Sequence, residues 1–123
     1  MKWVQLMAGG VAGTLARTLL AGFVYGVLGT DFPYGTLAVN LSGCFLIGFL
    51  AAFAEEKLLL GPGARLLLMV GFCGAFTTFS TFMMETDHLL KEGEPFRAFM
   101  NVAASVVLGF LVFRLGGFLA EIL

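Results

Sequence analysis

The sequence predicts an all-α integral membrane protein whose subunit has four transmembrane helices. Hydrophobic residues make up 59% of the 123-residue chain and charged residues 12%. Its mean hydropathy of +0.98 lies well above that of a soluble domain. The apolar residues form four blocks, each long enough to cross the hydrocarbon core as a helix of roughly 20 residues. We therefore expect one four-span membrane domain, with no room for a separate soluble domain.

The predicted spans cover residues 3–28, 34–54, 64–84 and 96–119. Asp31 and Pro33 interrupt the chain after the first span, and Gly61-Pro62-Gly63 does so after the second. The third connection is expected from Asp87 to Pro95. Because all three connections are short, consecutive spans should run antiparallel.

The third predicted span has the most unusual sequence. Gly71-Phe-Cys-Gly-Ala-Phe-Thr-Thr-Phe-Ser-Thr-Phe82 places four hydroxyl side chains and four phenylalanines in an otherwise apolar block. Non-helical backbone is stable inside a membrane only where it is buried in protein or lines a cavity. Isolated hydroxyls commonly bond to the carbonyl one turn back, but four within five residues favour a helix break that lines a pathway.

Such a break suits small ions of either sign. Hydroxyl and amide donors, together with the positive rims of phenyl rings, can contact an anion. Backbone carbonyls released from a broken helix attract a cation instead. The second span adds Asn40, and the fourth adds Asn101 and Ser105 on one helical face. Each of these polar groups could line a pathway or join two helices.

Arg17 is the one charge deep inside a predicted span. The cost of a guanidinium in hydrocarbon predicts a polar vestibule or an ion pair, unless the side chain extends to the interface. No carboxylate lies in the core of a predicted span, which argues against proton-coupled exchange. The chain has no paired acid and base and no phosphate-binding glycine loop, so we expect no enzymatic activity. Its net charge of −1 gives no field suited to nucleic acid.

Basic residues show only a weak bias between the two membrane faces. The face with both termini and the second connection is expected to carry Lys2, Lys57, Arg65 and Arg114, and the other face Lys91 and Arg97. Such a weak bias fixes the direction of membrane insertion poorly. Copies of the chain could therefore insert in both orientations, which is called dual topology.

Distinctive motifs occur in the first three spans. They are Gly9-Gly10 and Arg17, Gly35-Thr-Leu-Ala-Val-Asn40 with Gly43, Gly71-Phe-Cys-Gly74, and Thr77-Thr-Phe-Ser-Thr-Phe82. These residues resemble those of the Fluc/CrcB family of small fluoride channels. The resemblance covers nearly the whole chain and is most specific in the third span. It implies an antiparallel, dual-topology homodimer that exports fluoride passively across the bacterial cytoplasmic (inner) membrane.

The resemblance also implies which groups meet the ions. The backbone carbonyls of Gly74 and Thr77 would coordinate a structural sodium ion (Na+) at the dimer centre, and Arg17 would serve as a vestibule or structural charge. No organic cofactor is implied. The residues implied for the fluoride pathway are Asn40, Phe79, Ser80, Thr81, Phe82, Asn101 and Ser105.

Two other functions remain possible from the sequence. A proton-driven small multidrug exporter has the same span number and topology, but it would need a glutamate in the first span, where this chain has Arg17. A non-transporting assembly subunit of a membrane complex would leave the third-span motif unexplained.

Overall fold

A computed structural model describes all 123 residues, and its secondary structure is entirely helical. Helix α1 covers Lys2–Leu28, and α2 covers Tyr34–Glu55. The third span, α3, covers Pro62–Lys91, and α4 covers Pro95–Ile122. All four are long and apolar enough to cross a membrane, which confirms the predicted fold class of the subunit.

Helix α3 consists of two halves separated by an extended break. Its N-terminal half starts at Pro62–Ala64, continues as wide π-helical turns over Arg65–Cys73 and ends with Gly74–Phe76. Thr77 then adopts extended backbone, with φ −90° and ψ 157°. The C-terminal half restarts the helix over Ser80–Lys91. The predicted break in the third helix is therefore confirmed.

The C-terminal half of α3 continues well past the expected end of the third span. Hydropathy falls after Met84, but no glycine or proline interrupts the chain before Gly93. The helix therefore extends to Lys91, so Glu85 and His88 are helical residues. Hydropathy predicted only the apolar part of this helix. The helix itself continues until a breaker occurs at Gly93.

The spans pack chiefly as two pairs, α1 with the N-terminal half of α3 and α2 with α4. In both pairs glycine allows one backbone to touch the other, because a Cβ there would overlap the facing backbone. These contacts are Gly9 on Leu67, Gly13 on Phe72, Gly48 on Phe113 and Gly116 on Phe45.

The outer surface of the chain is largely apolar. Only 21 of the 123 residues are buried, so lipid or another protein surface must cover most of the remaining side chains. Gly22 and Gly26, a second pair at four-residue spacing, meet nothing within 4 Å of an added Cβ. The face of α1 that carries these two glycines therefore points away from the other helices of the chain.

Candidate functional site

Residues of three helices, α2, α3 and α4, line a groove at the break in α3. The groove has a volume of about 420 Å³ and is open on one side. Cys44, Met69 and Thr78, which the sequence did not single out as pathway residues, also contribute to its wall. The predicted site residues that it brings together are Asn40, Gly74, Thr77, Phe79, Phe82 and Ser105.

Asn40 binds both backbone polar groups of Thr78. Its Nδ2 donates to the Thr78 carbonyl at 3.0 Å, and the Thr78 N–H donates to its Oδ1 at 2.8 Å. Without these bonds, two backbone groups would lie unpaired at membrane depth. The side chain of Asn40 therefore stabilises the break, and its amide has a second N–H for a further acceptor.

Gly43 lets α2 approach the break closely. A Cβ at this position would overlap the Cγ2 methyl group of Thr77. That methyl group cannot easily turn away, because the Thr77 hydroxyl donates to the Cys73 carbonyl at 2.9 Å. Asn40 and Gly43 lie one helical turn apart, so a single face of α2 both bonds and accommodates the interrupted segment.

The carbonyls of Gly74 and Thr77 lose the donors that a continuous helix would give them. A continuous α-helix would direct the Thr78 N–H at Gly74 and the Thr81 N–H at Thr77. Instead, Thr78 donates to Asn40, and Thr81 donates to the Thr78 hydroxyl at 3.3 Å. Hard cations prefer oxygen ligands of this kind. The two carbonyls thus fit a cation, whereas no side-chain cluster of His, Cys, Asp and Glu could hold one.

The break also places helix ends of opposite polarity near each other. The N-terminal half of α3 ends in carbonyls at Phe76, and the C-terminal half begins with the N–H groups of Ser80 and Thr81. Carbonyl ends attract cations, and N-terminal ends attract anions. Ser80 is exposed and Thr81 is half-buried; neither lines the groove within this chain.

Phe79 and Phe82 meet edge to face beside the groove. Their ring centroids are 5.9 Å apart, and the ring planes are inclined by 72°. Phe82 is only 7% exposed, whereas Phe79 is 72% exposed. In edge-to-face packing the positive rim of one ring contacts the negative face of the other, and the rest of each rim stays free to meet an anion.

The two polar residues of α4 have different environments. Ser105 lines the groove, and its buried Oγ has no hydrogen-bond partner. Asn101 is 1% exposed and donates to the Thr86 hydroxyl at 2.9 Å. Thr86 in turn donates to the Phe82 carbonyl at 2.8 Å. Asn101 therefore joins α4 to α3 one turn beyond the groove, through Thr86, which no sequence pattern indicated.

Arg17 lies outside the groove. It is half-buried, and its Nε is buried without a hydrogen-bond partner. The two ion pairs in the chain, Lys91 with Asp87 and Arg97 with Glu94, do not involve it. The guanidinium group of Arg17 therefore has at least one donor whose hydrogen bond is not made within the chain.

Comparison with known proteins gives consistent results. Residues 4–117 match the family model described as CrcB-like protein, Camphor Resistance (CrcB). A protein of Chlorobaculum tepidum named fluoride-specific ion channel FluC is 50% identical over 123 residues, covering 99% of this chain and 97% of the relative.

Two further relatives carry the same name. The protein of Chlorobium phaeobacteroides is 49% identical over 115 residues, which are 94% of this chain and 89% of the relative. The protein of Maridesulfovibrio salexigens is 43% identical over 109 residues, which are 89% of this chain and 86% of the relative.

Proposed function

The chain belongs to the CrcB-like family, and on this premise we propose that it is a fluoride-selective channel. It would let fluoride leave a bacterial cell passively through the cytoplasmic (inner) membrane. The observation that supports this most is the groove at the break in α3, where hydrogen-bond donors and phenyl rings meet beside released carbonyls. The chain needs no enzymatic chemistry for this activity.

Fluoride is small and strongly hydrated, so a narrow pathway must replace its water with close donors. Within the groove, the second amide N–H of Asn40 and the unpartnered hydroxyl of Ser105 are available. Phe79 and Phe82 add ring edges, which attract an anion more weakly than N–H or O–H donors do. These edges carry no negative charge that would repel the anion. We assign the remaining pathway groups, Ser80, Thr81 and Asn101, to parts of the pathway beyond this groove, because none of them lines it within one chain.

The site is incomplete in one subunit, which supports an antiparallel homodimer. The groove is open on one side, and the Phe79 ring is largely uncovered. Hard cations take about six oxygen ligands, but one chain offers only the carbonyls of Gly74 and Thr77. A second copy related by a twofold axis would double the number of carbonyls around a sodium ion. The weak bias of basic residues between the two faces fits such dual topology.

The direction of transport follows from acid–base chemistry and the membrane potential. Hydrogen fluoride crosses membranes as a neutral acid and ionises in the cytoplasm, where the anion is trapped. Because the cell interior is electrically negative, an open anion pathway lets fluoride leave without ATP or proton coupling. Selectivity against chloride would come from donors spaced for the smaller ion.

Liposome efflux tests this proposal directly. The purified protein is reconstituted in vesicles loaded with potassium fluoride, and a fluoride electrode follows release after valinomycin is added. We expect rapid fluoride release and negligible release from matched vesicles loaded with chloride. Release of both anions would refute selectivity. If neither anion moved while the protein remained assembled, the channel function would be wrong, and proton-driven export or an assembly role would be tested instead.

A further inference from the structure

A second polar cavity lies at the end of the bundle formed by the first and third connections. Its volume is about 310 Å³. Asp31, Glu85, His88 and Glu92 are the titratable groups of the connections and α3 that line it, and Tyr25 enters from α1. We call this cavity the end pocket. Three carboxyl groups facing one histidine give it a negative character, which is unfavourable for an anion that passes through it.

The Tyr25 hydroxyl connects three helices beside the end pocket. It donates to Glu85 Oε2 at 2.8 Å, and it accepts the Thr36 backbone N–H at 3.4 Å. The hydroxyl of Thr36 is also within hydrogen-bond distance, at 3.3 Å. Because the single Tyr25 proton is directed at Glu85, the Thr36 hydroxyl is the donor in the third contact. The bonds therefore run in one direction, from α2 through α1 to the carboxyl group on α3.

Close packing fixes the Tyr25 ring. A Cβ on Gly35 would overlap the Cε2 and Cδ2 atoms of this ring, so the ring lies directly on the backbone at the start of α2. The adjacent Thr36 is only 5% exposed. The tyrosine hydroxyl thus has little freedom to move, and it can hold a more flexible partner in place.

Glu85 depends on this one bond. Its other oxygen, Oε1, is buried and has no hydrogen-bond partner. Glu85 also lies one helical turn after Phe82, which lines the groove, while Glu85 itself lines the end pocket. An ion that left the groove along α3 would therefore pass close to the Glu85 carboxyl group before it reached the end pocket.

We propose that Tyr25 is a positioning residue that holds the Glu85 carboxyl group against α1 and α2, away from the passage between the groove and the end pocket. The inference rests on the proposed channel function. Without the hydroxyl, the carboxyl group loses its only hydrogen bond and turns toward water in the end pocket, where its charge opposes anion passage.

The first test compares Tyr25→Phe with the original chain in the fluoride efflux assay. We expect release to be slower by about tenfold, since loss of a hydrogen bond to a charged group shifts a conformational equilibrium by at least this factor. Tyr34→Phe is the matched control, because this exposed tyrosine at the start of α2 makes no hydrogen bond to Glu85. Equal rates in Tyr25→Phe and the original chain would refute the proposal.

Ionic strength distinguishes positioning from a general loss of structure. Raising it with an impermeant salt from about 0.01 M to about 1 M shortens the screening length from about 30 Å to about 3 Å. Release by Tyr25→Phe should then recover relative to the original chain, because the displaced charge is screened. A deficit of the same size at every ionic strength would mean that Tyr25 acts by packing alone.

A double-mutant cycle gives a third readout. In a Glu85→Gln background the charge is absent, so adding Tyr25→Phe should cause no further loss of flux. Additive losses would contradict action through Glu85.

If Tyr25→Phe does not elute as the assembled protein, a second variant replaces it. Thr36→Val removes one donor to Tyr25 and should cause a smaller loss of flux that is equally sensitive to salt. Absence of fluoride flux in the original chain would refute the channel function itself, a result distinct from all of these.

Discussion

The side-chain amide of Asn40 pairs with both the N–H and the carbonyl of Thr78, so a residue of α2 determines the backbone geometry of α3. Thr78 can leave the helical ladder because Asn40 replaces both of its lost partners. The same exchange releases the Gly74 carbonyl from its helical donor. One side chain thus couples the groove with the two released carbonyls.

Asn40→Ala should remove both bonds to Thr78 and cause loss of fluoride flux together with lower stability. Each backbone group left unpaired costs roughly 1–3 kcal/mol, so the unfolding free energy should fall by about 2 kcal/mol or more. Fluoride efflux and unfolding in detergent measure the two effects. Ser42→Ala is the control, because Ser42 is exposed and makes no side-chain hydrogen bond. Flux lost with stability unchanged would indicate that Asn40 contacts the ion without stabilising the break.

Replacing both Phe79 and Phe82 by isoleucine should abolish fluoride flux while the protein remains assembled. Isoleucine is apolar and of similar bulk, but it offers no positive ring edge to an anion. Size-exclusion chromatography checks assembly, and the efflux assay checks flux. Phe99→Ile provides the control, since this ring is 65% exposed on α4 and does not line the groove. Undiminished flux in the double variant would remove both rings from the pathway.

Gly43→Ala should impair flux because the new Cβ would overlap the Thr77 methyl group. The added Thr77→Ser change removes this methyl group and keeps the hydroxyl that bonds Cys73, so it should restore flux at least in part. Gly10→Ala is the control, because a Cβ there meets nothing within 4 Å. Failure of Thr77→Ser to rescue Gly43→Ala would show that another contact makes glycine necessary at this position.

Exchange of sodium for a bulky organic cation should weaken flux or assembly. The Gly74 and Thr77 carbonyls are released from helical donors, and a large organic cation cannot approach them closely. Efflux rates and the elution volume are measured after dialysis into N-methylglucamine, and again after sodium is restored. Identical behaviour in both salts would argue against a sodium site at the break.

The fold class and the broken helix could be predicted because both follow from local chemistry. Long apolar blocks predict spans, and four hydroxyls between Thr77 and Thr81 indicate where helical bonding stops. The continuation of α3 to Lys91 was missed, since hydropathy reports the membrane boundary and not the end of hydrogen bonding. The end of the helix is marked instead by the first breaker after that boundary, Gly93.

The partners of individual polar side chains could not be predicted from the sequence. Asn101 and Ser105 lie on one face of α4, yet one bonds Thr86 and the other faces the groove. This difference depends on the distance between α3 and α4 at each of these two positions. That distance is set by the packing of residues that are far apart in the sequence. Tyr25 and Glu85 are 60 positions apart and likewise meet only in the folded chain.

Arg65–Cys73 forms π-helical turns. These turns restrict the number of residues in this segment more strictly than they restrict which residues occur there. Each residue of an α-helix advances the chain by about 100° around the axis. Loss of one residue here would therefore allow ordinary α-helical turns, but it would rotate everything that follows relative to α1 or shift it along the axis. Many apolar substitutions should be tolerated between Arg65 and Val70, whereas insertions and deletions should not, and natural relatives should keep this length.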